Sequence, residues 1–189
     1  MDAVLEHKSV ARAAAFERRK MAKARVECRD ACDILCRHVS AFGPANVIAG
    51  YMPIQSEIDP LPAMKTLYDQ GHTICVPIIQ GKGKALLFRE WNPDAPLIEG
   101  DFGALIPRSG QFLKPTILIA PLVAYDARGY RLGYGGGFYD RTLEMLRALH
   151  RAHAVGFAYS AQLADDLPIE PTDQPMNAVV TELGVTLFD

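Results

Sequence analysis

The sequence predicts an α/β fold: a layered domain on a mostly parallel sheet. Short apolar runs of strand type alternate with stretches of helical spacing along the chain. The most continuous apolar run, "TILIAPLVAYD" at 116–126, reads as the central strand. A glycine cluster follows that run directly and precedes a helical rhythm, in the position where such sheets bind their ligands.

The elements follow in order. The first 40 residues are rich in Ala, Arg, Lys and Glu and hold neither Pro nor Gly, which predicts one long helix or two joined between Met21 and Arg29. "AFGPAN" (41–46) breaks it, and "VIAGYMP" (47–53) is a strand-type run. Leu61, Met64, Leu67 and Tyr68 are spaced for an amphipathic helix that Gly71 stops. "TICVPII" (73–79) and "ALLFREW" (85–91) predict strands joined by the turn "GKGK" (81–84). Residues 92–115, rich in Pro and Gly, read mostly as loop. Phe138, Leu143, Leu146 and Leu149 predict a helix over 138–150, and "AVGFAY" (154–159) and "NAVVTE" (177–182) predict late strands. The whole chain, 1–189, is expected to be a single domain, with 1–40 a helical segment packed on it.

With 49% hydrophobic and 22% charged residues the chain has the composition of a globular protein, not a disordered one. A net charge of −2 excludes a strong whole-chain basic footprint for nucleic acid. No apolar run reaches the roughly 18 residues a membrane span needs. The N-terminal segment lacks an apolar signal core, and its acids Asp2, Glu6 and Glu17 argue against a transit peptide, so a cytoplasmic location is expected. The protein is separately expected to be a monomer. Of the four cysteines, Cys28, Cys32 and Cys36 recur every fourth residue. That spacing makes one helix stripe of small buried side chains and suits a zinc or iron–sulfur site poorly.

In "YDARGYRLGYGGGFYDRTLEML" (125–146), Gly133, Gly135, Gly136 and Gly137 stand between Arg131 and the pair Asp140 and Arg141. Clustered glycines let backbone N–H groups converge, and the helix start adds partial positive charge, so the stretch suits phosphate. Arg131 and Arg141 could add full charges and Asp140 could ligate magnesium. It is neither of two standard nucleotide motifs: a P-loop needs Lys then Ser or Thr where Phe138 and Tyr139 stand, and a dinucleotide fingerprint needs glycine at Phe138. Lys8, Arg12 and Arg19 share one helical face, either a solvated stripe or one that reaches anions across a cleft. The eight basic residues of this segment, Lys8, Arg12, Arg18, Arg19, Lys20, Lys23, Arg25 and Arg29, face five acids, Asp2, Glu6, Glu17, Glu27 and Asp30, so no nucleic-acid partner is expected. Glu57 and Asp59 follow a strand-type run, where loops carry function.

These segments, in this order, resemble the 5-formyltetrahydrofolate cyclo-ligase family, also called 5,10-methenyltetrahydrofolate synthetases. The likeness covers nearly the whole chain. Its most specific part is "PLVAYDARGYRLGYGGGFYDRTL" (121–143), with Lys8 to Arg12, "MPIQSEID" (52–59), "FREW" (88–91) and "TDQPMNAVVTE" (172–182) in register. The resemblance implies a three-layer α/β/α sandwich, related to sugar-phosphate isomerases and CoA transferases. It implies an ATP- and magnesium-dependent ring closure of 5-formyltetrahydrofolate with release of ADP and phosphate. Carried over by position, Lys8, Arg12, Arg131, Leu132, Gly133, Tyr134, Gly135, Gly136, Gly137, Phe138 and Tyr139 would contact ATP. Arg12, Met52, Glu57 and Tyr134 would contact the folate, Asp140 and Asp173 would hold Mg2+, and Arg131, Asp140 and Arg12 would carry the chemistry. Two positions depart from the pattern: Asn177 stands where many members have Asp, and Tyr134 where some have Arg.

Overall fold

The computed structural model describes the backbone of residues 2–188 and the side chains of residues 7–188. The side chains of Asp2 and Glu6, counted among the N-terminal acids, lie outside the described residues. In chain order the elements are α1 (Asp2–Lys23), α2 (Arg29–Ser40), β1 (Val47–Ala49), α3 (Leu61–Asp69), β2 (Thr73–Ile78), β3 (Leu87–Trp91), β4 (Leu97–Glu99), β5 (Leu105–Pro107), β6 (Phe112–Leu113), β7 (Ile117–Ala120), β8 (Ala124–Asp126), β9 (Arg131–Leu132), α4 (Phe138–Leu149), β10 (His153–Phe157), β11 (Leu163–Ala164), β12 (Ala178–Thr181) and β13 (Gly184–Leu187). The N-terminal helical region is thus two helices, and the break falls in the span expected for it.

The main sheet has eight strands in the order β13-β12-β10-β7-β1-β2-β3-β6. Its middle strands β12, β10, β7, β1 and β2 are parallel, and β13, β3 and β6 add antiparallel edges. Side chains alternate between the two faces, as strand geometry requires. Ile48, Ile74, Ile117, Ile119, Val155 and Phe157 pack with Leu35 and Val39 of α2 and Met64 and Leu67 of α3. Ala49, Cys75, Leu118, Ala154 and Val179 face the other way, against Leu143 and Leu146 of α4. Helices on both faces of the sheet make the three layers. Cys32 and Cys36 are buried on α2, and the four cysteines are free thiols.

Two expectations need correcting. The run 116–126 is not one strand: it stops at Ala120, because Pro121 has no N–H to continue the ladder. Its second half, β8, pairs instead with β9 and β11 in a small separate sheet. Residues 92–115 also hold more than loop: β4 and β5 form a hairpin and β6 edges the main sheet, in pieces of two or three residues that are too short to show a period.

Gly156 lies where β10 is crowded most closely. A Cβ there would stand 2.5 Å from Met176 Sδ, 2.8 Å from Leu122 Cδ2 and 3.0 Å from Val179 Cγ2. Gly156→Ala therefore lowers unfolding free energy by about 1–3 kcal/mol through overpacking. A urea midpoint shifted down at unchanged m-value checks this.

The topology also fixes where a site can form. From β1 the chain moves to β2 on one side and later returns to β7 on the other, so the strand order reverses between β1 and β7. The loop beyond Ala49 carries Glu57, and the segment beyond Ala120 carries the glycine stretch. A crevice outside the carboxyl ends of such a pair is the expected ligand position. Helix α1 closes over it: Ala15, Ala11 and Phe16 pack on Val123, Ala124, Leu132 and Leu167.

Candidate active site

The basic stripe of α1 is not a solvated face. Lys8 is 5% and Arg19 0% exposed, and Arg12 is half-buried. Each points into the crevice and finds oxygen. Lys8 Nζ donates at 2.7 Å to both Glu170 Oε2 and Asp173 Oδ2. Arg12 Nε donates to the Gly133 carbonyl at 2.9 Å. Burial opposes the Lys8 charge, but the two carboxylates outweigh it and hold its ammonium above the ordinary lysine range.

The glycine stretch leaves β9 and enters α4. Gly135 has φ +97° and Gly137, at the helix start, φ +62°, both left-handed conformations natural to glycine. Among the described residues, the N–H groups of 133–137 have no internal acceptor. Unpaired donors beside a helix N-terminus with Arg12 alongside suit an anion. The Leu132 side chain is buried with Ala15 and Val123, and its carbonyl accepts from Val123 N at 2.7 Å, so it anchors the stretch. Phe138 and Tyr139 pack against the core beneath it. Arg141 folds back over the Phe138 ring and donates to the Gly136 carbonyl.

Arg131 and Asp140 form one unit. Arg131 Nη2 donates to Asp140 Oδ1 at 2.8 Å and its Nη1 to the Gln174 carbonyl at 2.7 Å, while Gln174 N donates to the same Asp140 oxygen at 3.0 Å. The contact with Gln174 brings the Asp140 carboxylate next to Asp173 in the chain. Asp140 Oδ2 and Asp173 Oδ1 remain outside this bonding, one from each carboxylate. Among the described residues, no group of three or more His, Cys, Asp or Glu converges on a point. Two carboxylates with one oxygen each outside this bonding could supply at most part of a magnesium shell, the rest coming from phosphate oxygens and water, and not an all-protein cage.

Glu57 lies in the tight turn 54–57. Its N–H donates to the Ile54 carbonyl at 3.1 Å, and its Oε2 accepts from Ile54 N at 2.9 Å. Gln55 takes a left-handed φ of 52°, a strain that functional turns often hold. Burial pushes the Glu57 carboxyl above the ordinary range, and the Ile54 N–H, Arg19, Tyr134 and Lys23 pull it partly back. Cavities lie on both sides of the turn: one of about 620 Å³ lined by Cys28, Cys32, Glu57, Asp59 and Tyr159, another of about 580 Å³ lined by Phe16, Ser56 and Tyr134. Met52 packs at the edge of the adjoining core. Burial and the Glu57 charge raise the Tyr139 phenol, which stays protonated.

Sequence reasoning placed Arg19 on the right face but gave it no role. Its periodicity with Lys8 and Arg12 was the available signal. Asn177 lies at the opposite, amino end of the strands; its amide oxygen accepts from Ala154 N at 2.8 Å and Arg147 Nη2 at 3.2 Å, which is the work of a strut.

Comparison with known proteins gives one family. The family model for 5-formyltetrahydrofolate cyclo-ligases matches residues 4–182. The 5-formyltetrahydrofolate cyclo-ligase of Escherichia coli is 34% identical over 147 residues, covering 72% of this chain and 78% of its own. That of Haemophilus influenzae is 37% identical over 138 residues, covering 70% and 73%. The NMR structure of Aquifex aeolicus 5,10-methenyltetrahydrofolate synthetase superposes with a TM-score of 0.72 at 26% identity, covering 95% of this chain and 92% of that one. This chain belongs to the 5-formyltetrahydrofolate cyclo-ligase family.

Proposed function

We propose that the protein closes 5-formyltetrahydrofolate to 5,10-methenyltetrahydrofolate at the expense of ATP, releasing ADP and phosphate. The observation that carries this reading is the unpaired run of N–H donors at 133–137, set beside Arg12 and facing the buried Glu57 turn across the crevice. It provides an anion cradle and a polar anchor on one crevice, which a phosphoryl transfer to a folate needs.

The chemistry accounts for the residue types. A formyl group on nitrogen is an amide, and its oxygen leaves poorly. Attack of that oxygen on the γ-phosphorus breaks the bond to ADP and gives a phosphorylated imidate. The neighbouring secondary amine then attacks the activated carbon, phosphate departs with the oxygen, and the amine proton passes to solvent. Such transfer is mostly positioning and charge stabilisation.

The glycine N–H groups and Arg12 hold the phosphates, Arg131 keeps Asp140 oriented, and Glu57 accepts hydrogen bonds from the pterin. Magnesium, held by Asp140 and Asp173, would neutralise charge on the phosphate oxygens. Lys8 pairs with Asp173 and Arg131 with Asp140. With magnesium on Asp173, Lys8 would be free to meet a phosphate oxygen, while Arg131 would keep its hold on Asp140 Oδ1. No covalent enzyme intermediate is required, so the cysteines and histidines need no chemical role. The reading is of a cytoplasmic single-domain monomer acting on small molecules. No helix among the described residues is long and apolar enough to cross a membrane.

Mixing the purified protein with ATP, magnesium and 5-formyltetrahydrofolate tests the reading. The expected result is growth of the methenyl product's near-ultraviolet absorbance, with ADP formed in equal amount. Nucleotide and folate binding without ADP release would instead mark a non-catalytic relative.

A further inference from the structure

Arg19 is a completely buried cation whose three partners lie on three different segments. Its Nε donates to Ser56 Oγ at 3.0 Å, its Nη1 to the Leu122 carbonyl at 3.1 Å and its Nη2 to the Tyr134 hydroxyl at 2.6 Å. Glu57 Oε1 lies 3.9 Å from Nη1, an ion pair without a hydrogen bond. The guanidinium also sits over the rings of Phe16 and Tyr134, with its carbon 5.2 and 5.3 Å from their centres. One turn further along α1, Lys23 Nζ donates to the Gln55 carbonyl at 2.7 Å. Helix α1 therefore grips the strained 54–57 turn at two successive residues and, through Arg19, ties it to the glycine stretch, where Tyr134 also meets Glu57 directly.

We propose that Arg19, which touches neither substrate, is the positioning residue of the folate pocket, clamping the Glu57 turn to Tyr134 from the buried face of α1. The inference rests on the cyclo-ligase reading and assigns a role that the carried-over site residues do not include. A buried charge is retained only where it is fully bonded, and the planar fork of arginine can serve three acceptors at once where a lysine nitrogen cannot. The charge itself also matters. Arg19 and Lys23 from α1, Tyr51 beyond β1, Tyr134 from the glycine stretch and Tyr139 from α4 all face Glu57. Burial drives its carboxyl toward the protonated form, and Arg19 is the nearest full charge opposing that.

The sign of the pH effect follows. With Arg19→Met the upward push of burial on Glu57 loses its main opposing charge, so the carboxyl keeps its proton to higher pH. The KM for 5-formyltetrahydrofolate rises about 30-fold and falls back in part as pH is raised, while the KM for ATP changes less than about threefold, a split in binding read substrate by substrate. Arg19→Lys keeps the charge and loses the fork, so it restores the flat pH profile but only part of the affinity. Ser56→Ala removes one acceptor without stranding the guanidinium. It remains folded by circular dichroism and raises the folate KM about fivefold, which decides the matter even if both Arg19 variants fail to fold.

Folate KM unchanged in Ser56→Ala, or ATP and folate KM rising together in the folded variants, overturns the clamp while leaving the enzyme assignment standing. Absence of turnover in the unsubstituted protein overturns both.

Discussion

Asp140→Asn lowers kcat by about 10²–10³-fold, the scale on which a charge-stabilising group acts in a transition state. The substitution isolates charge from shape. An asparagine oxygen at the Oδ1 position can still accept from Arg131 and from Gln174 N, the two bonds that fix the carboxylate in place. Arg131, with a side chain only 4% exposed, also keeps the Gln174 carbonyl as acceptor. The fold thus retains its bonding, and Tm falls by no more than about 5 °C for a chain of this size. What disappears is the negative charge that a metal on phosphate oxygens would meet. Half-saturation by magnesium accordingly rises along with the fall in kcat, and isothermal titration of the magnesium–nucleotide complex shows the weakened binding independently of turnover. An Asp140→Asn enzyme with unchanged kcat and unchanged magnesium response removes Asp140 from the metal role.

The fold and the site were legible to different degrees for physical reasons. Long amphipathic elements announced themselves: α2, α3 and α4 bury the stripes that their spacing predicts. Of the five parallel strands, β1, β7 and β10 are buried on both faces and read as continuous apolar runs. The break between β7 and β8 was written in Pro121, but a run of aliphatic residues on both sides hid it. Strands β4, β5, β6 and β9 exist because neighbours in space pair with them, information that no local window holds.

In the site, clustered glycines and the stripe of Lys8, Arg12 and Arg19 marked both walls of the crevice. Sequence could not say what each cation meets. Lys8 finds its carboxylates 162 and 165 residues away, and Arg19 reaches Tyr134 across 115. The departure at Tyr134 illustrates the point. Where an arginine would have brought charge, a tyrosine hydroxyl instead accepts from Arg19, which enters from the opposite wall.

Gly135→Ala is the second large expected effect, a loss of about 100-fold in kcat/KM for ATP, or about 2.7 kcal/mol. Two features combine. At φ +97° a side chain is strained whatever the space around it. The added Cβ also stands 3.3 Å from the Arg12 guanidinium carbon and 3.3 Å from its Nη2, so the cation must shift from the position where it bonds the Gly133 carbonyl. If displacement of Arg12 is the route of the damage, then Arg12→Ala and Gly135→Ala damage the same interaction. Their effects in the double variant then fall well short of the product of the single losses, because residues in contact couple where distant ones add. With Arg12→Ala also costing about 100-fold, a double variant near 100-fold to 1,000-fold down, rather than 10,000-fold, places the arginine and the glycine backbone on one phosphate. Strict multiplication of the two losses means that Arg12 and the 133–137 stretch act on separate parts of the substrates, and the single anion cradle drawn here is wrong.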